Sequence, residues 1–136
     1  FNGRGQLLLQ QRQKDKAGYP NLWDVSAAGS ALAGENSAAA ASRELREELG
    51  LVHDFTKERP FLTTHFERGF DDWYFIRIEA NINDLRLQPE EVQDARWADL
   101  AEIERMLDSG EMVPYYRDLV RLWFVMKDHR GSTTHE

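Results

Sequence analysis

Four glutamates stand in the stretch AAGSALAGENSAAAASRELREELGL, residues 27–51, at positions 35, 44, 47 and 48. The last three crowd into what reads as a helix, where like charges three and four residues apart repel by about 0.2–0.5 kcal/mol per pair. On a helical wheel Glu44, Glu47 and Glu48 fall within an arc of about 100°, while Ala38, Ala41, Leu45 and Leu49 gather on another side. Arg43 lies at the edge of the acidic arc, one helical turn before Glu47, where it can hold that side chain in place. Taken alone, RELREEL reads as a solvated face laced with ion pairs. Clustered carboxylates become favourable once a cation is bound, and an all-oxygen set without thiolate or a histidine pair suits a hard cation, Mg²⁺ or Mn²⁺. Such a cluster can bridge a cation to a diphosphate, neutralise charge on transferred phosphoryl oxygens and activate water for in-line attack. That is the chemistry of pyrophosphate hydrolysis.

The elements that must position these residues are legible as patterns. Asn36 or Ser37 can cap a helix over residues 36–49, and Gly50 sits where a left-handed terminator is wanted. Before it, the apolar run Leu7 to Leu9 predicts a buried strand opening into a basic loop with Arg12, Lys14 and Lys16, and Trp23 to Ser26 predicts a short strand. After it, RPFLTTHFE (59–67) and DWYFIRIEA (72–80) predict an antiparallel pair joined by RGFDD. A polar loop then leads to a short strand near Ala95 to Trp97. Asp99 caps a helix through about Leu107, and Pro114 opens a last amphipathic helix over 114–128. The tail RGSTTHE reads as frayed.

Bulk properties exclude several classes. The 136 residues fit one domain, 1–136, with 41% hydrophobic and 30% charged side chains. The opening at Phe1, almost directly into a strand, predicts that an N-terminal segment of the domain precedes it. Seventeen basic against twenty-four acidic side chains give a net charge of −7, which argues against bulk binding to nucleic acid or anionic lipid. The apolar runs are too short for a membrane span. The chain has no cysteine, so disulfides, thiolate metal sites and a thiol nucleophile are excluded, and the cytoplasm is the default location.

Gly29, Glu35, Arg43, Glu44, Leu45, Glu47, Glu48, Gly50 and Leu51 together satisfy G-x5-E-x7-R-E-U-x-E-E-x-G-U, U being aliphatic. From average residue usage such a match has a chance on the order of 10⁻⁹ at a given start. The pattern resembles the Nudix box, complete at every defined position. The flank NLWDVSAAG resembles the branch that includes isopentenyl-diphosphate isomerase-like hydrolases. The resemblance implies an α/β fold, a Nudix-type α/β/α sandwich with a mixed β-sheet between helices. It implies a Mg²⁺- or Mn²⁺-dependent pyrophosphohydrolase that cleaves a nucleoside diphosphate linked to another moiety, and it allows a homodimer. By position, Glu47 and Glu48 would be the principal metal ligands, with Glu44 as a further ligand or the base. Arg43 would orient the glutamates, Glu35 would support them, and the Ala28 carbonyl would complete coordination. Gly29 and Gly34 would permit the turns, while Ser30 departs from the residue many relatives carry after the first box glycine.

A further acid from a later loop often joins the site in this family. Glu91 is the choice here, with Glu90, Asp71 and Asp72 as rivals. Arg12 and Lys14 could meet phosphate oxygens, or simply solubilise their loop. His65 could face the nucleotide or lie on the surface, and Trp23, Phe66 and Tyr74 could stack on a base or join the core. Two rival functions follow from the family: a nucleotide-binding regulatory domain without catalysis, disfavoured by the intact box, and the isomerase, whose chemistry relies on a cysteine this chain lacks.

Overall fold

The computed structural model describes residues 1–28, 32–129 and 131–134. Gly29, Ser30 and Ala31, with Arg130, His135 and Glu136 of the tail, lie outside the described residues. The elements in chain order are β1 (Leu7–Arg12), β2 (Trp23–Val25), α1 (Ser37–Leu49), β3 (Leu62–Phe66), β4 (Gly69–Trp73), a 3₁₀ turn (Ile82–Asp84), β5 (Val92–Ala98), α2 (Leu100–Ser109) and α3 (Arg117–Met126). β1 is central in a three-stranded sheet, antiparallel to β2 on one side and to β5 on the other. An isolated parallel bridge joins Trp23 of the edge strand β2 to Met112. β3 and β4 form a separate antiparallel hairpin.

Because strand side chains alternate, β1 feeds two cores. Leu7 and Leu9 are buried with Ile103, Met106, Val120 and Trp123 of α2 and α3. Leu8 is buried on the opposite face with Ala38, Leu45 and Leu49 of α1 and with Val92 and Ala95 of β5. This is the expected sandwich, with α1 and α3 on opposite faces of the sheet. The same alternation places Gln10 on the Leu8 side, beneath α1. Among the described residues no helix is long and apolar enough to cross a membrane.

The structure tightens three sequence-based boundaries. β4 spans Gly69–Trp73 rather than 72–80, starting and ending earlier than expected, and Phe66 pairs with Gly69, so the turn shrinks to residues 67–68. A Cβ on Gly69 would lie 3.0 Å from the Phe66 ring, so the glycine admits that close pairing. β5 extends over seven residues rather than three because it pairs along the whole of β1. α3 begins at Arg117 rather than at Pro114. The residues before it are drawn to the sheet: the Val113 amide donates to the Trp23 carbonyl at 2.9 Å, and the Tyr115 hydroxyl donates to Asp24.

α1 is closed at both ends as its sequence requires. The Asn36 side chain accepts from the Ala39 amide at 2.8 Å, and Gly50 stops the helix at φ 73°. The carbonyls that a helix leaves unpaired at its C-terminus are taken up by the following loop, for the Gln88 amide donates to Glu48 and the Arg86 amide to Leu49, both at 3.0 Å. This lacing brings residues 86–91 back across the end of α1. A side chain at 50 would oppose it twice, through the positive φ and through a Cβ 2.9 Å from that of Arg86. Gly50→Ala is therefore expected to destabilise the fold by at least about 2 kcal/mol, from left-handed strain plus overpacking. A urea-unfolding midpoint within error of the parent would show that the loop yields freely.

Candidate active site

The acidic arc of α1 divides by burial. Glu44 and Glu48 are each only 8% exposed, whereas the Glu47 side chain is 44% exposed. All three line a cavity of about 450 Å³, together with Ala28, Arg43 and Glu91. Glu35 lies in the wall of a second cavity of about 850 Å³, which shares Ala28 and Glu44 with the first.

Arg43 organises this group. Its guanidinium forks onto Glu35, with Nε to Oε2 at 2.8 Å and Nη2 to Oε1 at 3.2 Å. The same side chain donates to Glu47 at 2.9 Å and to Glu44 at 3.3 Å. The charge-assisted bonds from Arg43, with the Leu32 amide, hold the Glu35 carboxyl below its usual range. One cation thus offsets much of the repulsion among three carboxylates.

Among the described residues Glu48 has no such cation. It accepts at Oε2 from the buried Gln10 amide and from the Ala28 backbone N–H, each at 3.2 Å. Burial pushes its carboxyl up to about 7; the fields of Glu44 and Glu91 add to that, and the Ala28 and Gln10 bonds oppose it. Glu44 is raised as well, chiefly by burial and against the pull of Arg43. Glu91 comes to the cavity on the loop laced to α1, and there it pairs with Lys16.

The remaining predicted residues are divided between the cavities and the exterior. Arg12 lines the smaller cavity, donates through Nε to the Gly18 carbonyl at 2.9 Å and lies 3.6 Å from Asp24. Lys14 is exposed on the loop after β1, outside both cavity walls. Trp23 also lines neither cavity; it packs toward the α2–α3 core, with the Arg96 guanidinium 5.6 Å over its ring. Phe66, Asp71, Asp72 and Tyr74 line the larger cavity, while His65 is exposed on the hairpin. Glu90 is exposed and lines neither. Sequence reasoning assigned no role to Gln10, Asp24, Lys16 or Gln88, all of which line the smaller cavity. For Gln10 a signal was present, a polar residue placed by alternation on a strand's buried face.

The donor chemistry fits a hydrated hard cation rather than a closed cage. Among the described residues no three Asp, Glu or His side chains are grouped tightly enough to enclose a metal unaided. Mg²⁺ does not require that, since it keeps several waters and is commonly held by one or two carboxylates plus substrate phosphates. Two buried carboxylates, one of them without a cationic partner among the described residues, would suit such an ion.

The raised Glu48 carboxyl fixes a pH dependence in metal-free protein. Between its ordinary value of 4.5 and about 7, the native state binds more protons than the unfolded chain, so stability falls as pH rises through that window. The loss is about 2–4 kcal/mol at 1.36 kcal/mol per unit. Glu48→Gln should remove most of this slope, leaving the variant the more stable protein at pH 8 but not at pH 4.5. Urea melts in EDTA across that range measure it, and parallel profiles for the two proteins would contradict the burial argument.

Comparison with known proteins agrees with this geometry. Residues 1–121 match the NUDIX domain family. An uncharacterized Nudix hydrolase of Listeria monocytogenes is 54% identical over 116 residues, covering 85% of this chain and 69% of the relative. An isopentenyl-diphosphate Delta-isomerase of Escherichia coli is 30% identical over 116 residues, covering 80% of this chain and 63% of the relative. The crystal structure of DR0079 from Deinococcus radiodurans superimposes with a TM-score of 0.73 at 28% identity, over 89% of this chain and 76% of that one. With a family match over most of its length and a hydrolase relative at 54% identity, the chain belongs to the Nudix hydrolases, enzymes that act on phosphoric anhydride bonds.

Proposed function

We propose that this protein is a Mg²⁺- or Mn²⁺-dependent pyrophosphohydrolase that cleaves the diphosphate of a nucleoside diphosphate linked to another moiety. The observation that carries the reading is Glu48, a buried carboxylate without a cationic partner among the described residues, set beside Glu44 in a cavity that shares Ala28 and Glu44 with a larger one. Glu47 and Glu48 would hold the cation with the Ala28 carbonyl, and Glu44 stands beside them. When bound, the cation neutralises phosphoryl charge and acidifies a water.

The chain's own groups supply the rest. Arg12 and Lys16, which also line the smaller cavity, would meet the diphosphate oxygens and set its register. Glu44, whose burial raises its proton affinity, takes the proton of the attacking water; Glu91 is the alternative base. The water oxygen bonds to phosphorus as the bridging P–O bond breaks, and that bond's electron pair leaves with the departing phosphate. Arg43 keeps Glu35, Glu44 and Glu47 in fixed rotamers throughout. The larger, mostly apolar cavity receives the linked moiety, with Phe66 and Tyr74 available for stacking. The absence of cysteine argues against the isomerase reaction.

The test is a panel of nucleoside triphosphates, oxidised nucleotides, ADP-ribose, dinucleotide cofactors and nucleotide sugars, each with Mg²⁺ and with Mn²⁺, with products identified. At least one should yield two phosphate-ester products or a monophosphate with pyrophosphate. Glu48→Gln should lower its turnover by about 10²–10³-fold or more, the scale of losing one preorganised electrostatic group. Nucleotide binding without turnover of any member would instead identify a regulatory domain.

A further inference from the structure

The proposal concerns Gln10, the buried amide beneath α1. Its Nε2 donates to the Ser26 carbonyl at 2.9 Å and to Glu48 Oε2 at 3.2 Å, and the residue is 5% exposed. Both neighbours of that nitrogen are acceptors, so a flipped amide would set its oxygen against two oxygens; the orientation is fixed by chemistry. The Ala28 amide donates to the same oxygen, Oε2. Among the described residues Glu48 Oε1 accepts no hydrogen bond, which leaves that oxygen free to serve the cavity.

We propose that Gln10 is a positioning residue that selects which carboxylate oxygen of Glu48 faces the cation. The inference rests on the metal-dependent reading above and goes beyond it, since Gln10 lies outside the box and is not itself a ligand. The construction is tight because β1 and the loop after β2 are joined twice, by Gln10 to Ser26 O and by the Ser26 hydroxyl to Leu8 O. Strand, loop and helix therefore share one buried amide. With both Nε2 hydrogens committed, Gln10 holds Oε2 on the protein side and turns Oε1 outward. A metal-ligating carboxylate oriented in this way by a neighbouring donor loses about 10–100-fold in metal affinity when the donor is removed.

Two substitutions separate orientation from packing. Gln10→Met keeps the length and fills the space but donates nothing. Gln10→Glu keeps the shape and would face Ser26 O and Glu48 Oε2 with an acceptor. Mn²⁺ binding followed by electron paramagnetic resonance at pH 8 should weaken at least tenfold in Gln10→Met and no less in Gln10→Glu, with circular dichroism unchanged. In turnover assays Gln10→Met should need about tenfold more Mg²⁺ yet recover kcat to within threefold at saturation, a split that a general folding defect would not give. In metal-free protein the two side-chain amide protons of Gln10 should be protected from exchange, and Glu48→Ala should release one of them.

Parental Mn²⁺ affinity in Gln10→Met, or equal or tighter binding in Gln10→Glu, would overturn the role of Gln10 while leaving the metal-dependent reading intact. Failure of the parent itself to bind Mn²⁺ would overturn both. Free exchange of both Gln10 amide protons would also overturn the role of Gln10, which rests on those two bonds, and again leave the metal-dependent reading intact.

Discussion

A carboxylate placed under a helix and out of water is the constraint around which this molecule is arranged. Glu48 is buried because α1 lies with Leu45 and Leu49 against β1, and a residue one turn after Glu44 on that helix must meet the sheet beside them. Its charge is then disfavoured by desolvation, and three adjacent features respond to that. β1 offers Gln10 from below, the loop after β2 offers the Ala28 amide, and the helix ends within two residues at Gly50. None of these donors is a cation, so the charge is solvated locally without being neutralised. The proposed cation site would need that state: a lysine or arginine here would stabilise the glutamate and compete with a metal ion.

The arginine inside the acidic run has the complementary part. Repulsion among Glu35, Glu44 and Glu47 is relieved by one guanidinium whose fork fits a carboxylate, and the planar group reaches all three because Glu35 precedes the helix while the other two stand one and four residues after Arg43. The tension legible in the sequence is therefore not spread over four acids. It is concentrated on the Glu44–Glu48 stripe, the part turned toward the interior and away from solvent screening.

How much of this could be read without the structure follows from the range of the interactions. α1, its Asn36 cap and its Gly50 stop are local and were legible; so was the capping of α2 by Asp99, whose side chain accepts from Glu102 N at 2.9 Å. The joining of the hairpin was not, because its turn is set by pairing Phe66 with Gly69 across the ladder. α3 was misread at its start because Pro114 looks like a first helical residue, while Val113 and Tyr115 are held by β2 from ninety residues away in sequence. The acids of α1 share a helix, so their gathering was foreseeable. Gln10, Lys16 and Gln88 reach the cavity from separate segments through the tertiary fold, and only the strand alternation hinted at the first.

On the proposed reading, the distribution of these residues also separates catalysis from selection. The carboxylates, Arg43 and Gln10 occupy the rigid junction of sheet and helix, where every side chain is fixed by burial or by paired donors. The larger cavity takes part of its wall from the β3–β4 hairpin, which among the described residues joins the three-stranded sheet through no ladder of its own. What ties it to α1 is a small polar cluster: Ser37, the first residue of the helix, donates to Asp72 at 2.6 Å and meets the Tyr74 hydroxyl at 2.7 Å, while Thr63 donates to the other Asp72 oxygen at 2.6 Å. On its other face Trp73 packs with its ring centroid 5.0 Å from that of Trp123. Phe66 and Phe70 are exposed on this element, and among the described residues neither takes part in the bonds that hold the carboxylates. On the proposed reading that is why the box motif would announce the reaction while saying little of the substrate.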